Sequence, residues 1–372
     1  MNPFESSIGI TLLKSIKNLL TQMAEKSKRL ANIEILRITA MFFIVFTHVK
    51  TIFFRPELVT PTERFVNILT NVGIFSVDLF VLISGYFLVN STKMGFGHFF
   101  KILVQTIFYS SVITLVFMFF GEGDLKPKLY DLVASLNPLG PTRFNYWFVS
   151  RYLCMLLFAP FLARFAQSLT KRQYKGLILV ILFVAGSFCA IFPLGFYLCS
   201  GWMVWWFMCV FLIGGYIRLH YPLDVTKRKK WLVIFICVSA VWLTLSQFKW
   251  FDGGYNSVLT LLSAVSLFCF FRTLQFGEAS SKINFLASHA FAAYLIQEQT
   301  YFKAFIKHFG ETYFSVDVTC HLSYTFCVTS VILLLALVVD AGREKLFKVS
   351  GIDNLTKRCS DWWLESLRKW CS

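Results

Sequence analysis

The chain has 372 residues, of which 56% are hydrophobic and only 15% are charged, and its formal net charge at pH 7 is +16. Its mean hydropathy is +0.63, and its 43 phenylalanines exceed what one water-soluble core of this length needs. The composition therefore excludes an ordinary soluble globular protein and indicates a chain that lies largely in a membrane.

The apolar residues recur in blocks of about 20, the length of helix that crosses a hydrocarbon core roughly 30 Å thick. Because lipid offers no hydrogen bonds, the backbone groups of each block must pair internally, as they do in a helix. The ninth block is the least apolar, because His289, Gln297 and Glu298 interrupt it. We therefore predict an all-α, polytopic membrane protein with about ten transmembrane helices, at about residues 35–55, 68–89, 100–120, 146–165, 176–193, 200–218, 231–248, 256–275, 285–302 and 318–341.

The positions of the basic residues orient these helices. If the N-terminus lies in the cytoplasm, ten spans return the C-terminus there, and the cytoplasmic segments hold 25 Lys and Arg residues against nine in the outer segments. Such an excess on the cytoplasmic side is the usual orientation signal of membrane proteins. We therefore predict cytoplasmic N- and C-termini, a multi-pass protein of the cell's inner or plasma membrane, and basic charge that contacts the lipid bilayer rather than nucleic acid.

Two end segments flank the membrane domain, which we place at residues 31–342. Within residues 1–30, apolar residues recur at helical spacing with lysines between or after them, which predicts an amphipathic helix lying on the membrane interface. Residues 343–372 are basic and aromatic and predict a cytoplasmic interfacial tail. No separate soluble domain is expected, so the chemistry should take place in or beside the bilayer.

The segment from Asn32 to Lys50 carries a carboxylate, a guanidinium and an imidazole within an apolar run. In an α-helix, Arg37 and His48 point to within roughly 20° of each other and lie about 16 Å apart along the axis. Glu34 precedes Arg37 by one turn. Ionisable groups in a membrane helix usually serve a function. The structural alternative is that Arg37 reaches lipid headgroups and His48 hydrogen-bonds a neighbouring helix.

The second block contains another acid, Asp78, which shares a helical face with Gly85. A carboxylate in a membrane helix prefers a partner, and Arg37 or another cation is one candidate. Two interpretations stay open for this face: a supporting functional role, or helix packing in which Gly85 permits close approach. Ser84 lies off the face, so we expect it to let the helix bend or pack closely rather than to act as a nucleophile.

An aromatic run, R-F-N-Y-W-F, leads into the fourth block and includes Trp147. Such a run is typical of the interfacial belt of membrane helices, and it also suits a surface on which sugar rings stack. Arg151, one turn later, is a second candidate contact for an anionic cofactor. The ten cysteines include no C-x-x-C pair, so the sequence predicts neither a metal site nor a redox site.

Several segments resemble motifs of acyltransferase family 3, whose members are integral-membrane O-acyltransferases. The run N-I-E-I-L-R-I-T-A-M-F-F-I-V-F-T-H at residues 32–48 carries the family's acid three residues before an Arg, followed by ten residues and a His. S-V-D-L-F-V-L-I-S-G-Y-F-L at 76–88 is similar to the family's second-helix motif, and A-F-A-A-Y-L-I at 290–296 is similar to its Y-L-I-H segment. The resemblance covers residues from about 30 to 340.

The resemblance implies a ten-helix enzyme that moves an acetyl or similar acyl group from an acyl-CoA cosubstrate, such as acetyl-CoA. The acceptor it implies is a hydroxyl of a cell-surface or exported polysaccharide or glycolipid. By motif match, Arg37 and His48 are the functional pair. One departure is that the family's His after Y-L-I is Gln297 here, and the adjacent Glu298 is a candidate polar partner in its place.

The chemistry of these residues suits the same reaction. A hydroxyl that attacks a thioester must lose its proton, and an imidazole accepts protons in the useful pH range. Alternatively, His48 takes up the acyl group covalently and passes it on. Coenzyme A is a long polyanion, so Arg37 near the inner leaflet is predicted to bind its phosphates while His48 meets the thioester.

The alternative function is a multi-span transporter or a flippase component of polysaccharide export. Ten spans with sparse charged groups also suit a carrier, although transporters often consist of two related halves. The second half of this chain contains no copy of the Glu34, Arg37 and His48 pattern. This difference favours the acyltransferase.

Overall fold

A computed structural model of the protein describes eight stretches of the chain. The described part is helical and contains no β-strand, which confirms the predicted all-α fold. Apart from Leu30, the predicted amphipathic segment at residues 1–30 lies outside the described residues. The described stretches are residues 30–53, 71–90, 96–140, 146–187, 201–248, 253–277, 280–313 and 318–370.

Fourteen α-helices occur in these stretches, numbered here in chain order. A π-helical segment, Leu182–Ser187, continues α6. The helices are α1 (Ala31–Phe53), α2 (Phe75–Leu88), α3 (Gly97–Phe120), α4 (Leu129–Ser135), α5 (Trp147–Ser168), α6 (Lys171–Ile181), α7 (Val204–His220), α8 (Arg228–Leu245), α9 (Val258–Arg272), α10 (Ser281–His289), α11 (Phe291–Gln297), α12 (Thr300–Tyr313), α13 (Val318–Val349) and α14 (Ile352–Trp370).

Within the described stretches, four helices are long and apolar enough to cross a membrane, namely α1, α3, α5 and most of α13. The apolar helices α2, α7 and α9 coincide with further predicted spans, but they have only 14, 17 and 15 residues. Length and composition therefore support a membrane protein. The count of ten spans and the cytoplasmic position of both termini stay predictions.

Helix α2 packs against α1, α7 and α9. Its close approach to α7 depends on glycines, because a Cβ at Gly85 would lie 2.1 Å from the backbone oxygen of Phe211. Likewise, a Cβ at Gly214 would lie 2.3 Å from the backbone oxygen of Leu82. Small residues of this kind let membrane helices pack backbone to backbone. The packing interpretation of Gly85 therefore has direct geometric support.

The ninth predicted span is divided in the structure. Helices α10 and α11 are separate, and α11 ends before α12 begins. Gln299 explains the second interruption, because its Oε1 accepts hydrogen bonds from the backbone N–H groups of Tyr301 (2.8 Å) and Phe302 (3.0 Å) and so caps the start of α12. The two preceding residues, Gln297 and Glu298, are thereby held at the end of α11.

Helix α13 passes without a break through the boundary predicted between residues 342 and 343. Arg343 pairs with Asp340, one turn earlier on the same helix, at 2.5 Å between Nε and Oδ1. Helix α14 then packs against α3, and the ring of Trp363 lies edge-to-face against that of Phe96 with 6.5 Å between centroids. The predicted tail is therefore helical and rests partly on the bundle, while its cytoplasmic location stays a prediction.

Candidate functional site

The start of α1 is fixed to the end of α9. Asn32 donates two hydrogen bonds from Nδ2, to the backbone oxygens of Phe271 (2.8 Å) and Leu274 (3.0 Å). Carbonyl groups at and just beyond a helix C-terminus lack i+4 partners within the helix, and this side chain donates to two of them. The contact sets the position and rotation of α1, and with them the direction of every functional side chain on it.

Arg37 lies about one and a half turns further along α1. Its Nη1 is 3.0 Å from Glu34 Oε1 and 3.3 Å from Oε2, so the helix brings these two predicted site residues together as their spacing indicated. Glu34 is buried, whereas the Arg37 side chain keeps 29% of its exposure. The Arg37 guanidinium lies 5.4 Å from the centre of the Phe87 ring. Glu34 therefore orients a guanidinium that other groups can still reach.

At the other end of this stretch, His48 contacts the end of α11. Its Nδ1 lies 2.9 Å from Gln297 Oε1 and 3.2 Å from Glu298 Oε2. A lone pair on Nδ1 would face both oxygens, so the hydrogen of the neutral ring belongs on Nδ1 and the lone pair on Nε2. Nε2 has no hydrogen-bond partner among the described residues, and the side chain is 20% exposed. The ring therefore presents its basic nitrogen outward.

Glu298 is itself held from the far side. Lys303 Nζ lies 2.8 Å from Glu298 Oε1, while Oε2 faces His48. The Oε2 contact is within ion-pair distance but is not aligned as a hydrogen bond. The carboxylate consequently acts on the imidazole mainly through its charge, and Gln297 supplies the directed hydrogen bond. This order of contacts resembles a histidine that is oriented by a neighbouring carboxylate.

Arg37 and His48 mark two ends of α1, which we call the Arg37 end and the His48 end. They lie about 16 Å apart along the helix axis. Met41 and Ile44, which lie between them on the same face, are buried at 1% and 5% exposure. A ligand that touches both ends must therefore displace these side chains or pass along a neighbouring helix.

The second predicted acid has a different partner from the one expected. Asp78 is buried and accepts a hydrogen bond from Trp206 Nε1 at 2.8 Å, and no cation contacts it among the described residues. The expected pairing of Asp78 with Arg37 is therefore wrong, because Arg37 is engaged by Glu34 and α7 places an indole next to the Asp78 carboxyl group. No other cation of the described residues takes the place of Arg37. Asp78 therefore links α2 to α7 and is not part of the Arg37 end.

Ser84 makes hydrogen bonds that hold helices together. Its Oγ lies 2.8 Å from the hydroxyl oxygen of Tyr152 and 3.1 Å from the backbone oxygen of Phe80. The first contact links α2 to α5, and the second is a bond to the preceding turn of its own helix. Neither contact provides a base to remove the hydroxyl proton. That Ser84 is not a nucleophile stays a prediction.

Comparison with known families settles the class of the protein. A family model described as an acyltransferase domain matches residues 30–340. The chain belongs to acyltransferase family 3. This confirms the resemblance drawn from the motifs, and it assigns the general activity of acyl transfer to the region that contains both ends of α1. Comparison with curated proteins and with solved structures gave no match.

An aromatic cluster adjoins the His48 end of this family 3 domain. The ring of Trp147 lies 4.2 Å from Trp202 and 5.5 Å from Tyr255 between centroids. Arg151, one turn along α5, donates from Nε to the backbone oxygen of Trp202 at 3.2 Å. The two arginines predicted to bind a cofactor share no contact among the described residues, since Arg151 bonds to Trp202 while Arg37 pairs with Glu34. The predicted cofactor-binding role of Arg151 stays a prediction.

Three residues of the site were not singled out from the sequence. The Tyr294 ring lies 5.9 Å from that of His48 and 5.6 Å from that of Phe148, so it connects the imidazole to the start of α5. The other two are Lys303, which pairs with Glu298, and Trp202, which packs against Trp147. Tyr294 is the tyrosine of the segment similar to the family's Y-L-I-H motif, which was the signal available for it. Nothing in the sequence marked Lys303 or Trp202, because their roles depend on helix packing.

Proposed function

We propose that this acyltransferase moves an acetyl or similar acyl group from acyl-CoA to a hydroxyl of a cell-surface or exported polysaccharide or glycolipid. The observation that carries the proposal is the state of His48, whose Nδ1 is held by Gln297 and Glu298 while Nε2 has no partner in the described part of the chain. An imidazole oriented in this way is suited to take a proton from an attacking hydroxyl.

The donor is proposed to lie along α1, with its phosphates at the Arg37 end and its thioester at the His48 end. Coenzyme A separates its anionic nucleotide from its sulfur by a long flexible arm, which suits two contact points about 16 Å apart on one helix. Arg37 is oriented by Glu34 and remains partly exposed, as a phosphate contact must. We propose that this end lies on the cytoplasmic side, where acyl-CoA is made, and the predicted excess of basic residues on that side supports the proposal.

The transfer step follows from the His48 tautomer. The acceptor hydroxyl gives its proton to Nε2 as its oxygen forms a bond to the acyl carbon, and the carbon–sulfur bond then breaks. The departing thiolate takes the proton back from the imidazolium, so atoms and charge balance. Glu298 stabilises the imidazolium while it exists, because its carboxylate lies 3.2 Å from Nδ1. In this form His48 acts as a general base rather than as an acyl carrier.

The acceptor is proposed to reach His48 past the aromatic cluster of Trp147, Trp202 and Tyr255. Trp202 is exposed, and flat aromatic faces pack well on sugar rings. Tyr146 and Phe148 flank Trp147 in sequence, and the rings of both lie within 6.3 Å of Tyr294, which adjoins His48. The cluster therefore lies close enough to the imidazole to guide a hydroxyl group towards it.

Mass spectrometry of the surface glycan tests this function. A strain that lacks the gene should lose an acetyl-ester mass increment that the wild-type strain carries, and a plasmid copy should restore it. A copy with His48→Ala should not restore it, whereas the matched control His308→Ala, which changes an exposed histidine, should. Unchanged glycan in the deletion strain, with export reduced instead, would favour the flippase alternative.

A further inference from the structure

We infer that Tyr86, Arg218 and Arg272 form a binding site for phosphate groups beside the Arg37 end of α1. This inference rests on the proposed function: the site binds the nucleotide-phosphate end of the acyl donor. The three residues come from the last turns of α2, α7 and α9. They are separated by long stretches of sequence, and only the packing of these helices brings them together.

The geometry centres on the Tyr86 ring. The guanidinium carbons of Arg218 and Arg272 each lie 5.0 Å from its centroid. Arg218 Nη1 also donates a hydrogen bond to the Tyr86 hydroxyl oxygen at 3.0 Å. Tyr86 is 5% exposed, so its ring is fixed by packing and cannot rotate away. Two cations are thus held around one aromatic ring, an arrangement that cation–π attraction favours.

Neither guanidinium is neutralised by the protein. Arg272 Nη2 donates to the backbone oxygen of Tyr221 at 3.3 Å, and neither Arg218 nor Arg272 contacts a carboxylate in the described part of the chain. By contrast, Arg37 and Arg343 each have a carboxylate at 3.0 Å or less. Both unpaired arginines lie in the last turn of a helix, where the helix dipole offsets part of their charge.

The Arg218 guanidinium also has N–H donors that no described residue uses. A guanidinium has five N–H donors in a planar fork, and Arg218 uses one of them within the described residues. Arg218 is exposed and Arg272 half-buried, so a ligand can approach both. Guanidinium pairs bind phosphate through two parallel hydrogen bonds, which is the strongest use of such donors. Excess charge and free donors together indicate a phosphate-bearing ligand.

The site continues into the Arg37 end. Tyr86 and Phe87 are consecutive, and their rings meet edge-to-face at 5.2 Å between centroids. The Arg37 guanidinium lies 5.4 Å from the Phe87 ring. One pair of adjacent aromatic residues therefore separates Arg37 from the two unpaired arginines. A ligand with several phosphates, as coenzyme A has, can contact all three guanidinium groups, whereas one phosphate needs only one or two.

Equilibrium binding of coenzyme A to the full-length protein in neutral detergent, without added phospholipid, tests the site. Arg218→Gln and Arg272→Gln should each raise the Kd for coenzyme A about tenfold, since each removes a charge-assisted contact. At saturating acyl-CoA the transfer rate should stay near that of the wild type. Arg164→Gln, which removes an exposed arginine on α5, is the matched control and should leave the Kd unchanged.

The outcomes of these measurements test the site and distinguish coenzyme A from a lipid headgroup as the source of the phosphate. Unchanged coenzyme A affinity in both glutamine variants, with melting temperatures like the wild type, would overturn the inference. Unchanged coenzyme A affinity together with weakened binding to phosphatidylglycerol vesicles would assign the site to a lipid headgroup and overturn the donor assignment. Arg218→Lys keeps the charge but not the fork, so an intermediate Kd would support the inference even if a glutamine variant fails to fold.

The same measurements separate this inference from the proposed function. If both variants bind coenzyme A weakly but the gene has no effect on glycan acylation, the phosphate site stands and the proposed function fails. If the glycan loses its acyl group in the deletion strain but neither arginine affects donor affinity, the function stands and the phosphate site fails.

Discussion

Two polar clusters in this protein contain similar residues but have different roles. One lies between α3 and α13 around Asp340, and the other lies between α1 and α11 around His48. Asp340 is fully buried, and its Oδ1 accepts hydrogen bonds from Gln105 Nε2 (3.0 Å), Tyr109 Oη (2.8 Å) and Arg343 Nε (2.5 Å). Each of these donors belongs to the protein itself, so the cluster is satisfied without a ligand.

The His48 cluster is incomplete by comparison. Nε2 of His48 has no partner in the described stretches, and Nε2 of Gln297 is buried without one. Leaving polar atoms open inside a bundle lowers stability, so such atoms persist where something else engages them during function. The comparison indicates that the Asp340 cluster holds helices together, whereas the His48 cluster is arranged for a substrate.

The largest effect on the rate of acyl transfer is expected from a substitution in the His48 cluster. His48→Ala should lower the rate of acyl transfer about 10³-fold, because it removes the proposed general base. The apparent melting temperature in detergent should stay close to that of the wild type, since the ring is partly exposed and Lys303 still pairs with the Glu298 carboxylate after the ring is removed. The measurement is the initial transfer rate per mole of folded protein. Transfer within a few-fold of the wild-type rate would rule out His48 as the base.

Asp340→Ala should have the next largest effect, and on stability rather than on chemistry. It leaves Arg343 buried without its carboxylate, and breaking a buried ion pair in this way costs about 3 kcal/mol. Thermal unfolding in detergent should show the loss, while the KM for acyl-CoA of the protein that remains folded should be unchanged. A normal melting temperature combined with a raised KM would instead place Asp340 in the substrate site.

A smaller effect is expected from Glu298→Gln, which keeps the shape of the side chain but removes its charge. The imidazolium would lose its stabilising carboxylate, so kcat should fall roughly 10- to 100-fold while the KM for acyl-CoA changes little. Restoration by Glu298→Asp would support a positioning role. A fall in stability with kcat intact would show that Glu298 serves mainly to pair with Lys303.

The smallest expected effect concerns packing at the centre of the bundle. Gly85→Ala would place a Cβ 2.1 Å from the Phe211 backbone oxygen, so α2 and α7 must separate at a cost of about 2 kcal/mol. Gly176→Ala is the matched control, because a Cβ there meets nothing within 4 Å and the substitution should be neutral or slightly stabilising. Equal melting temperatures for the two variants would contradict the close approach of α2 and α7.

The sequence predicts the contacts that lie within one helix and misses those between helices. The spacing of Glu34 and Arg37 predicts that they lie one turn apart on the same side of a helix, and the distance from Arg37 to His48 follows from helical geometry. The partner of Asp78 is an indole on α7, 128 residues away, and neither periodicity nor charge points to it. For the same reason the division of the ninth block at Gln299 was missed, because it depends on a side-chain cap.

The motif resemblance supplied part of what periodicity could not. It drew attention to Gln297 and Glu298, which lie 249 and 250 residues from His48 in sequence, and the structure places both beside the imidazole. It said nothing about Arg218 and Arg272, which stand in helix ends that read as ordinary basic flanks of apolar spans. Their significance became visible only when the structure placed both against Tyr86.

The central claim is that Arg37 and His48 engage opposite ends of one acyl donor. It is tested most directly by steady-state transfer from acetyl-CoA with Arg37→Gln and His48→Ala proteins side by side. The account predicts that Arg37→Gln raises the KM for acetyl-CoA about tenfold with kcat nearly unchanged, and that His48→Ala lowers kcat with the KM nearly unchanged. An unchanged KM in Arg37→Gln, or an unchanged kcat in His48→Ala, would contradict it.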